Sequence, residues 1–266
     1  YAILNADDDL VYKMQEGLAC KVALFSMDEK NPRIKSHCEK GGMAAVFENG
    51  YVSILKGTWK IRVMHVKDIP ITFEGKAIHN INNCLPAILA TYLYRDISIE
   101  DIRAALISFV PSSTLTPGRL NFFHFKDFTF LADFAHNPHG LNLLGDFVSK
   151  LGYPYNVGVI SGTGDRRDED IRELGAISAR HFDEIIIKKK KNLRGRTADE
   201  IINLLLEGIH SVKPEVPTTT IANENEALEF IYANPKKGAL YTIMCDVVAG
   251  ALDKIRELKE REAVDG

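Results

Sequence analysis

In the second half of the chain, short apolar runs alternate with stretches whose apolar residues recur at helical spacing. The runs near 119–125, 128–134, 155–161, 183–189, 218–221 and 238–245 read as strands. After the first pair they are separated by helical stretches near 138–150, 167–181, 197–210, 223–233 and 248–263. Thr197 with Glu200, and Asn223 with Glu226, supply capping-box starts for two of those helices. Strands alternating with helices predict a mainly parallel sheet with right-handed crossovers, which is an α/β, Rossmann-like domain.

The first half has a different pattern. Residues 1–5 and 21–27 read as strands, with a helix to about Gly17 between them and a polar connection over 28–41. Runs at 44–48, 52–55 and 59–65, with turn residues Asn49-Gly50 and Gly57, predict a β-meander in which Trp59 is structural. From 79 to 94, Ile81, Leu85, Ile88 and Tyr92 lie on one helical face despite Pro86. A second helix starts at Ser98, with Asp101 as a loose capping box, and buries Ile99, Ile102 and Leu106. The stretch 111–118 reads as a hinge, so the expected domains are 1–112 and 113–266.

The length of 266 residues and a hydrophobic content of 45% allow a substantial core in one large or two ordinary domains. A net charge of −3 and a pI near 6.3 do not call for a nucleic-acid or anionic-membrane partner. Cys20, Cys38, Cys84 and Cys245 form no CxxC pair, which argues against a disulfide framework or a zinc site and favours reduced thiols in a cytoplasm. No run of about 18 apolar residues and no basic-then-apolar leader occurs, so a soluble, intracellular protein is expected. The chain opens at Tyr1 inside a strand-like run, and reads as a piece of a longer polypeptide.

Candidate chemistry gathers at predicted strand ends. Asp133, His136 and Asn137 follow the 128–134 strand, where an open parallel sheet collects its ligand, and Asn137 can cap the helix that Pro138 starts. A lone carboxylate at the end of a buried strand is costly, and either a ribose hydroxyl or a capping amide would satisfy Asp133. His136 alone would read as a structural histidine and draws its interest from these neighbours. Arg119, after Pro117-Gly118, suits a phosphate or a carboxylate, or else lies solvated at the hinge.

Ser161-Gly-Thr-Gly-Asp-Arg-Arg-Asp168 follows another strand and opens a helix. Its glycines would let backbone N–H groups approach an anion, although a bare GxG is equally a tight turn. Its clustered charges exceed what a turn requires: Arg166 or Arg167 could clamp a carboxylate or phosphate, with Asp165 orienting one of them. His79-Asn80-Ile81-Asn82-Asn83 is either an N-cap with solvated neighbours or a group in which Asn80 and Asn83, on one face, read the edge of a base. Lys188 to Lys191 reads as a solvated loop rim rather than a nucleic-acid patch. In Asn192-Leu-Arg-Gly-Arg196, Arg194 lies at the same sheet edge and could fork a substrate carboxylate.

Taken together, Asn5-Ala-Asp-Asp8 and Gly75-Lys-Ala-Ile-His-Asn-Ile-Asn-Asn83 resemble the later part of the central ATPase domain of the Mur ligase family. Pro117-Gly-Arg-Leu120, Asp133-Phe-Ala-His-Asn-Pro138, Gly162-Thr-Gly-Asp-Arg-Arg-Asp168 and Leu193-Arg-Gly-Arg196 resemble its C-terminal, Rossmann-like domain. The resemblance covers essentially the whole chain, and the last two motifs together point to the branch that builds an arginine-bearing aspartate polymer. It implies an ADP-forming amide ligase that uses ATP and Mg2+. ATP phosphorylates a substrate carboxylate, an amine attacks the acyl phosphate, and the intermediate collapses to an amide with release of phosphate.

Carried onto this sequence, the resemblance implies adenine contacts at Asn80 and Asn83, with His79 also in the cofactor site, a nucleotide contact at Arg119 and a ribose contact at Asp133. His136 and Asn137 would lie near the reacting phosphate. Asp165, Arg166, Asn192 and Arg194 would receive the incoming amino acid, arginine, which is joined to side-chain carboxylates of an aspartate polymer; a homo-oligomer is compatible with this. The phosphate-binding loop GxxxxGK[ST] does not occur, so the fragment alone is expected to be inactive, and no metal ligands are assigned. The family's acidic residue before its substrate motif is Lys191 here, and Leu193 replaces proline. Peptidoglycan-precursor or folylpolyglutamate synthesis is the alternative within the family, and a non-catalytic binding module the alternative outside catalysis.

Overall fold

A computed structural model describes residues 1–94, 97–190 and 193–265. The chain divides into two compact units, Tyr1–Val110 and Pro111–Gly266. In the first unit, strands β1 (Ala2–Asn5), β2 (Val22–Ser26), β3 (Met43–Glu48), β4 (Tyr51–Lys56) and β5 (Trp59–His65) form one sheet in chain order. The first three are parallel and the last two join as antiparallel hairpins. Helices α1 (Asp9–Lys13), α2 (Pro32–Glu39), α3 (Ile78–Leu93) and α4 (Ile99–Ser108) accompany it.

Three expectations for this unit need correction. The polar connection 28–41 contains α2: Asn31 caps it by accepting from the Arg33 N–H at 2.9 Å, Pro32 opens it, and Ile34 and Cys38 are its buried stripe. Two buried residues one turn apart are too sparse a pattern to stand out in a polar stretch. Trp59 is 62% exposed, because it is the first residue of edge strand β5, beside the tight turn at Gly57. Helix α3 is capped by Ala77, with no side-chain hydrogen bond, so the 79–83 cluster is not an N-cap.

The second unit is the expected α/β, mainly parallel domain. Its strands are β6 (Asn121–His124), β7 (Thr129–Asp133), β8 (Asn156–Ile160), β9 (Glu184–Lys188), β10 (Thr218–Ile221) and β11 (Leu240–Met244). They lie in the order β10-β9-β8-β11-β7-β6, and β6 pairs antiparallel while the others pair parallel. Helices α5 (Pro138–Ser149), α6 (Asp168–His181), α7 (Ala198–Val212), α8 (Glu224–Ala233) and α9 (Val248–Asp265) make the connections and the C-terminal cover.

Strand order and crossover handedness together place the helices. The steps from β7 through β8 and β9 to β10 all run one way across the sheet, whereas the step from β10 to β11 runs back. Right-handed crossovers therefore put α5, α6 and α7 on one face and α8 on the other. The core agrees: Ala227, Leu228 and Ile231 of α8 and Ala251, Leu252, Ile255 and Leu258 of α9 pack with Phe130, Val159 and Ile243. With both faces covered, β7 and β11 are buried throughout and read as continuous apolar runs.

Helices α6 and α7 approach each other through glycine. A Cβ at Gly208 would overlap the Arg172 carbonyl, and one at Gly175 the Leu205 carbonyl. Overpacking of this kind costs about 1–3 kcal/mol, which exceeds the ~1 kcal/mol of helix propensity that alanine adds. Gly208→Ala is therefore expected to lower the urea midpoint with an unchanged slope. A midpoint at or above the parent's would show that the helices can separate without loss.

Candidate functional site

Two neighbouring regions at the C-terminal edge of the second sheet carry the candidate chemistry. The first begins at Gly118, whose φ of +70° a side chain would strain. Its carbonyl accepts from the Phe134 N–H at 2.9 Å, and Leu120, also left-handed at φ +49°, donates its N–H to Asp133 Oδ2 at 2.9 Å. Asp133 is 8% exposed, and burial pushes its carboxyl up to about 6 against the opposing Leu120 N–H and the Arg119 charge. The Leu120 amide is thus one partner of the Asp133 carboxylate.

Around Asp133 the other expected residues assemble. The exposed Arg119 guanidinium lies 5.7 Å from the Phe134 ring centre. The His136 ring packs at 4.5 Å against the same ring, and its Nδ1 lies 2.8 Å from the Phe134 carbonyl. A carbonyl only accepts, so Nδ1 is the donor in this bond. Asn137 caps α5 as expected: its Oδ1 accepts from the Gly140 N–H at 2.7 Å.

The second region is a pair of loops, 161–167 after β8 and 193–197 after β9. Arg196 ties them, donating from Nε to the Gly164 carbonyl at 3.0 Å and from Nη2 to the Arg166 carbonyl at 3.1 Å, while Nη1 lies 2.7 Å from Asp168 Oδ1. A Cβ on Gly164 would overlap the Leu193 carbonyl, so this glycine serves the close approach of the two loops. Asp165 and Arg194 form an ion pair across them, which holds the Asp165 carboxyl below its usual range. Arg167 pairs with Asp170, whereas Arg166 makes no ion pair among the described residues. Asn192 lies outside the described residues.

Beneath these loops the reading of Lys188 to Lys191 as a solvated rim fails at Lys188 and Lys190, while Lys189 keeps a side chain 39% exposed and Lys191 lies outside the described residues. Lys188 is fully buried, 2.9 Å from Glu224 Oε2 and 2.7 Å from Asp246 Oδ2. Lys190 Nζ donates to Thr163 Oγ1 at 3.0 Å, and burial lowers its pKa against the pull of Asp246. Glu224 and Asp246 went unnoticed on sequence grounds, although acidic residues just beyond β10 and β11 must share an edge with the end of β9.

In the first unit, Asn80 Nδ2 donates to the Ile71 carbonyl at 2.7 Å, which commits that group to a structural tie, while Asn83 is exposed and His79 half-buried. Asp7 accepts from the Ser26 hydroxyl at 2.6 Å and the Met27 N–H at 2.8 Å. Among the described residues, no group of three His, Cys, Asp or Glu side chains is arranged to hold a metal ion, and no helix is long and apolar enough to cross a membrane.

Residues 118–247 match the Mur ligase glutamate ligase domain, so the match encloses both regions of the sheet edge. Over 257 residues, 97% of this chain, the sequence is 43% identical to the cyanophycin synthetase of Geminocystis herdmanii. By these two matches the chain resembles the Mur ligase family. It spans 29% of that synthetase's length. The Mur ligase fold also appears in solved structures. The UDP-N-acetylmuramoylalanyl-D-glutamyl-2,6-diaminopimelate--D-alanyl-D-alanyl ligase from Acinetobacter baumannii matches with a TM-score of 0.62 at 18% identity, over 97% of this chain and 51% of that one. Mycobacterium tuberculosis folylpolyglutamate synthase, complexed with ADP and AMPPCP, gives 0.58 at 15% identity, over 89% and 55%.

The raised Asp133 has a sign that can be tested. Its folded pKa of about 6 lies above the ordinary 3.8, so the native state binds the extra proton between those values and stability falls as pH rises through them. At neutral pH the buried carboxylate costs up to about 3 kcal/mol. Asp133→Asn keeps an acceptor for the Leu120 N–H and is expected to be at least as stable as the parent at about pH 7.5, with the acid-side gain removed. Urea unfolding at about pH 4.5 and 7.5 checks this; a variant less stable at both would contradict it.

Proposed function

We propose that the parent of this chain is an ATP-dependent, ADP-forming amide ligase that adds arginine to side-chain carboxylates of an aspartate-containing polymer. The observation that carries the reading is the Asp165–Arg194 pair across the two strand-end loops, in a chain so similar to a cyanophycin synthetase. Free arginine has a carboxylate at one end and a guanidinium at the other. It can exchange into that ion pair, with its carboxylate on Arg194 and its guanidinium on Asp165. An exposed pair of this kind is worth about 0–1 kcal/mol, so opening it opposes binding little. Arg166 adds a second cation beside the incoming carboxylate.

At the other strand end, Asp133 would hold ribose and Arg119 would reach the nucleotide, with His136 and Asn137 near the reacting phosphate. Asn80 and Asn83 of the first unit would contact adenine, Asn80 through the part of its amide not tied to Ile71, with His79 also binding the cofactor, and Asn192 would complete the amino-acid site. Mg2+ would neutralise phosphate charge, but the described residues offer no ligand set for it and no step is assigned to it. A cytoplasmic setting fits these substrates, and self-association is compatible with them. The sequence contains no GxxxxGK[ST], so turnover is expected of the full-length protein and not of this chain alone.

Phosphate release by the full-length protein, given ATP, Mg2+, an aspartate–arginine primer and one amino acid at a time, tests the reading. Stimulation by arginine, and only with the primer, is expected. Losing a charge-assisted contact removes about 1.5–3 kcal/mol, so Arg194→Ala should raise the KM for arginine roughly 10- to 100-fold with the KM for ATP unchanged. Turnover with a muropeptide or folate acceptor instead would move the protein to another branch of the family.

A further inference from the structure

Lys188 ends β9, and it is the one lysine among the described residues whose side chain is wholly shielded from water by the sheet edge. A buried ammonium is costly unless it is paired and hydrogen-bonded on every side. Its Nζ lies 2.9 Å from Glu224 Oε2, 2.7 Å from Asp246 Oδ2 and 3.5 Å from Ser161 Oγ. The partners are bonded to one another as well: the Ser161 hydroxyl donates to Asp246 Oδ1 at 2.8 Å, and the Asp246 N–H donates to Glu224 Oε2 at 2.8 Å. One ammonium thus joins the end of β8, the end of β9, the start of α8 and the exit of β11.

This cluster touches both regions of the candidate site. Ser161 is the first residue of the loop that carries Asp165 and Arg166, and Lys190 braces the same loop through Thr163, with its Nζ also 3.5 Å from Asp246 Oδ1. On the other side, Cys245, next to Asp246, donates its N–H to the Asp133 carbonyl at 2.8 Å. A continuous chain of bonds therefore runs from the strand end of Asp133 through Cys245 and Asp246 to Ser161 at the base of the 161–167 loop, and Lys188 bonds both Asp246 and Ser161. Buried ion pairs of this type add little net stability over apolar replacements, and in some proteins they select one arrangement.

We propose that Lys188 is a positioning residue that sets the loop bearing Asp165 and Arg166 relative to the strand end bearing Asp133, without itself touching substrate. Its kinetic consequence rests on the ligase reading above; its structural consequence does not. Removing the lysine alone strands two carboxylates, so the informative variant is K188M/E224Q/D246N, which takes out the buried ammonium and both of its carboxylates at nearly constant volume and leaves Lys190 its bond to Thr163. Ser161→Ala, which removes the direct bond from Asp246 to the loop and leaves the Lys190–Thr163 brace, is the milder companion should the triple variant fail to fold.

In the full-length protein, both variants are expected to raise amide hydrogen exchange across 162–167 by about tenfold or more, with α6 and α7 unchanged. Both should raise the KM for arginine by about tenfold while the KM for ATP and the melting temperature stay near the parent's. A merely structural role would move the melting temperature and leave that split of KM values untouched. Unchanged loop exchange, or unchanged KM for arginine in an active parent, overturns the proposal. A parent that releases no phosphate with any amino acid refutes the ligase reading alone, and loop exchange still decides the role of Lys188.

Discussion

The pairing of β11 with β7 on one side and β8 on the other governs the chemistry of the second unit. Because the last strand returns between two strands laid down earlier, the exits of β7, β8 and β11 become neighbours at one edge. That insertion sets the Asp133 carbonyl against the Cys245 N–H, and it brings Asp246 within reach of Lys188 and Ser161. A sheet with its strands in chain order would separate these groups. Parallel pairing also buries both faces, so polar side chains at these exits must satisfy one another or a ligand.

Two features of this edge run against stability. Asp133 is held in a pocket that favours its protonated form, and the residue that caps it, Leu120, has a left-handed backbone that a branched side chain adopts with strain. Lys188 is buried where leucine or methionine would cost less desolvation. Folds depart from local rules in this way where geometry matters more than free energy. The aromatic and aliphatic packing of β7, β11, α8 and α9 supplies the stability that lets the edge tolerate both.

Most of the second unit was legible from the chain, because its strands are apolar runs between helices with capping signals, and the residues at strand exits can be placed on one edge from that alternation. Asp133 and Asn137 stood out at the end of an apolar run, and Asp165 in a cluster of charges that opens a helix. Lys188 did not, because four consecutive lysines look solvated until the sheet order brings Glu224 and Asp246 to the first of them. Strand order depends on contacts between distant segments and leaves no local signature. The same limit hid the roles of Arg196 and Gly164, whose partners lie on the other loop. In the first unit, α2 was missed because its apolar stripe is two residues wide, and Trp59 was misplaced because nothing local marks β5 as an edge strand.

The most direct test is a crystal structure of the full-length protein with a non-hydrolysable ATP analogue and arginine. The expected result has ribose hydroxyls on the Asp133 carboxylate and arginine seated between the 161–167 and 193–197 loops, with Arg194 turned from Asp165 to the ligand carboxylate. Arginine bound elsewhere, or bound with the Asp165–Arg194 pair still closed, would contradict the account.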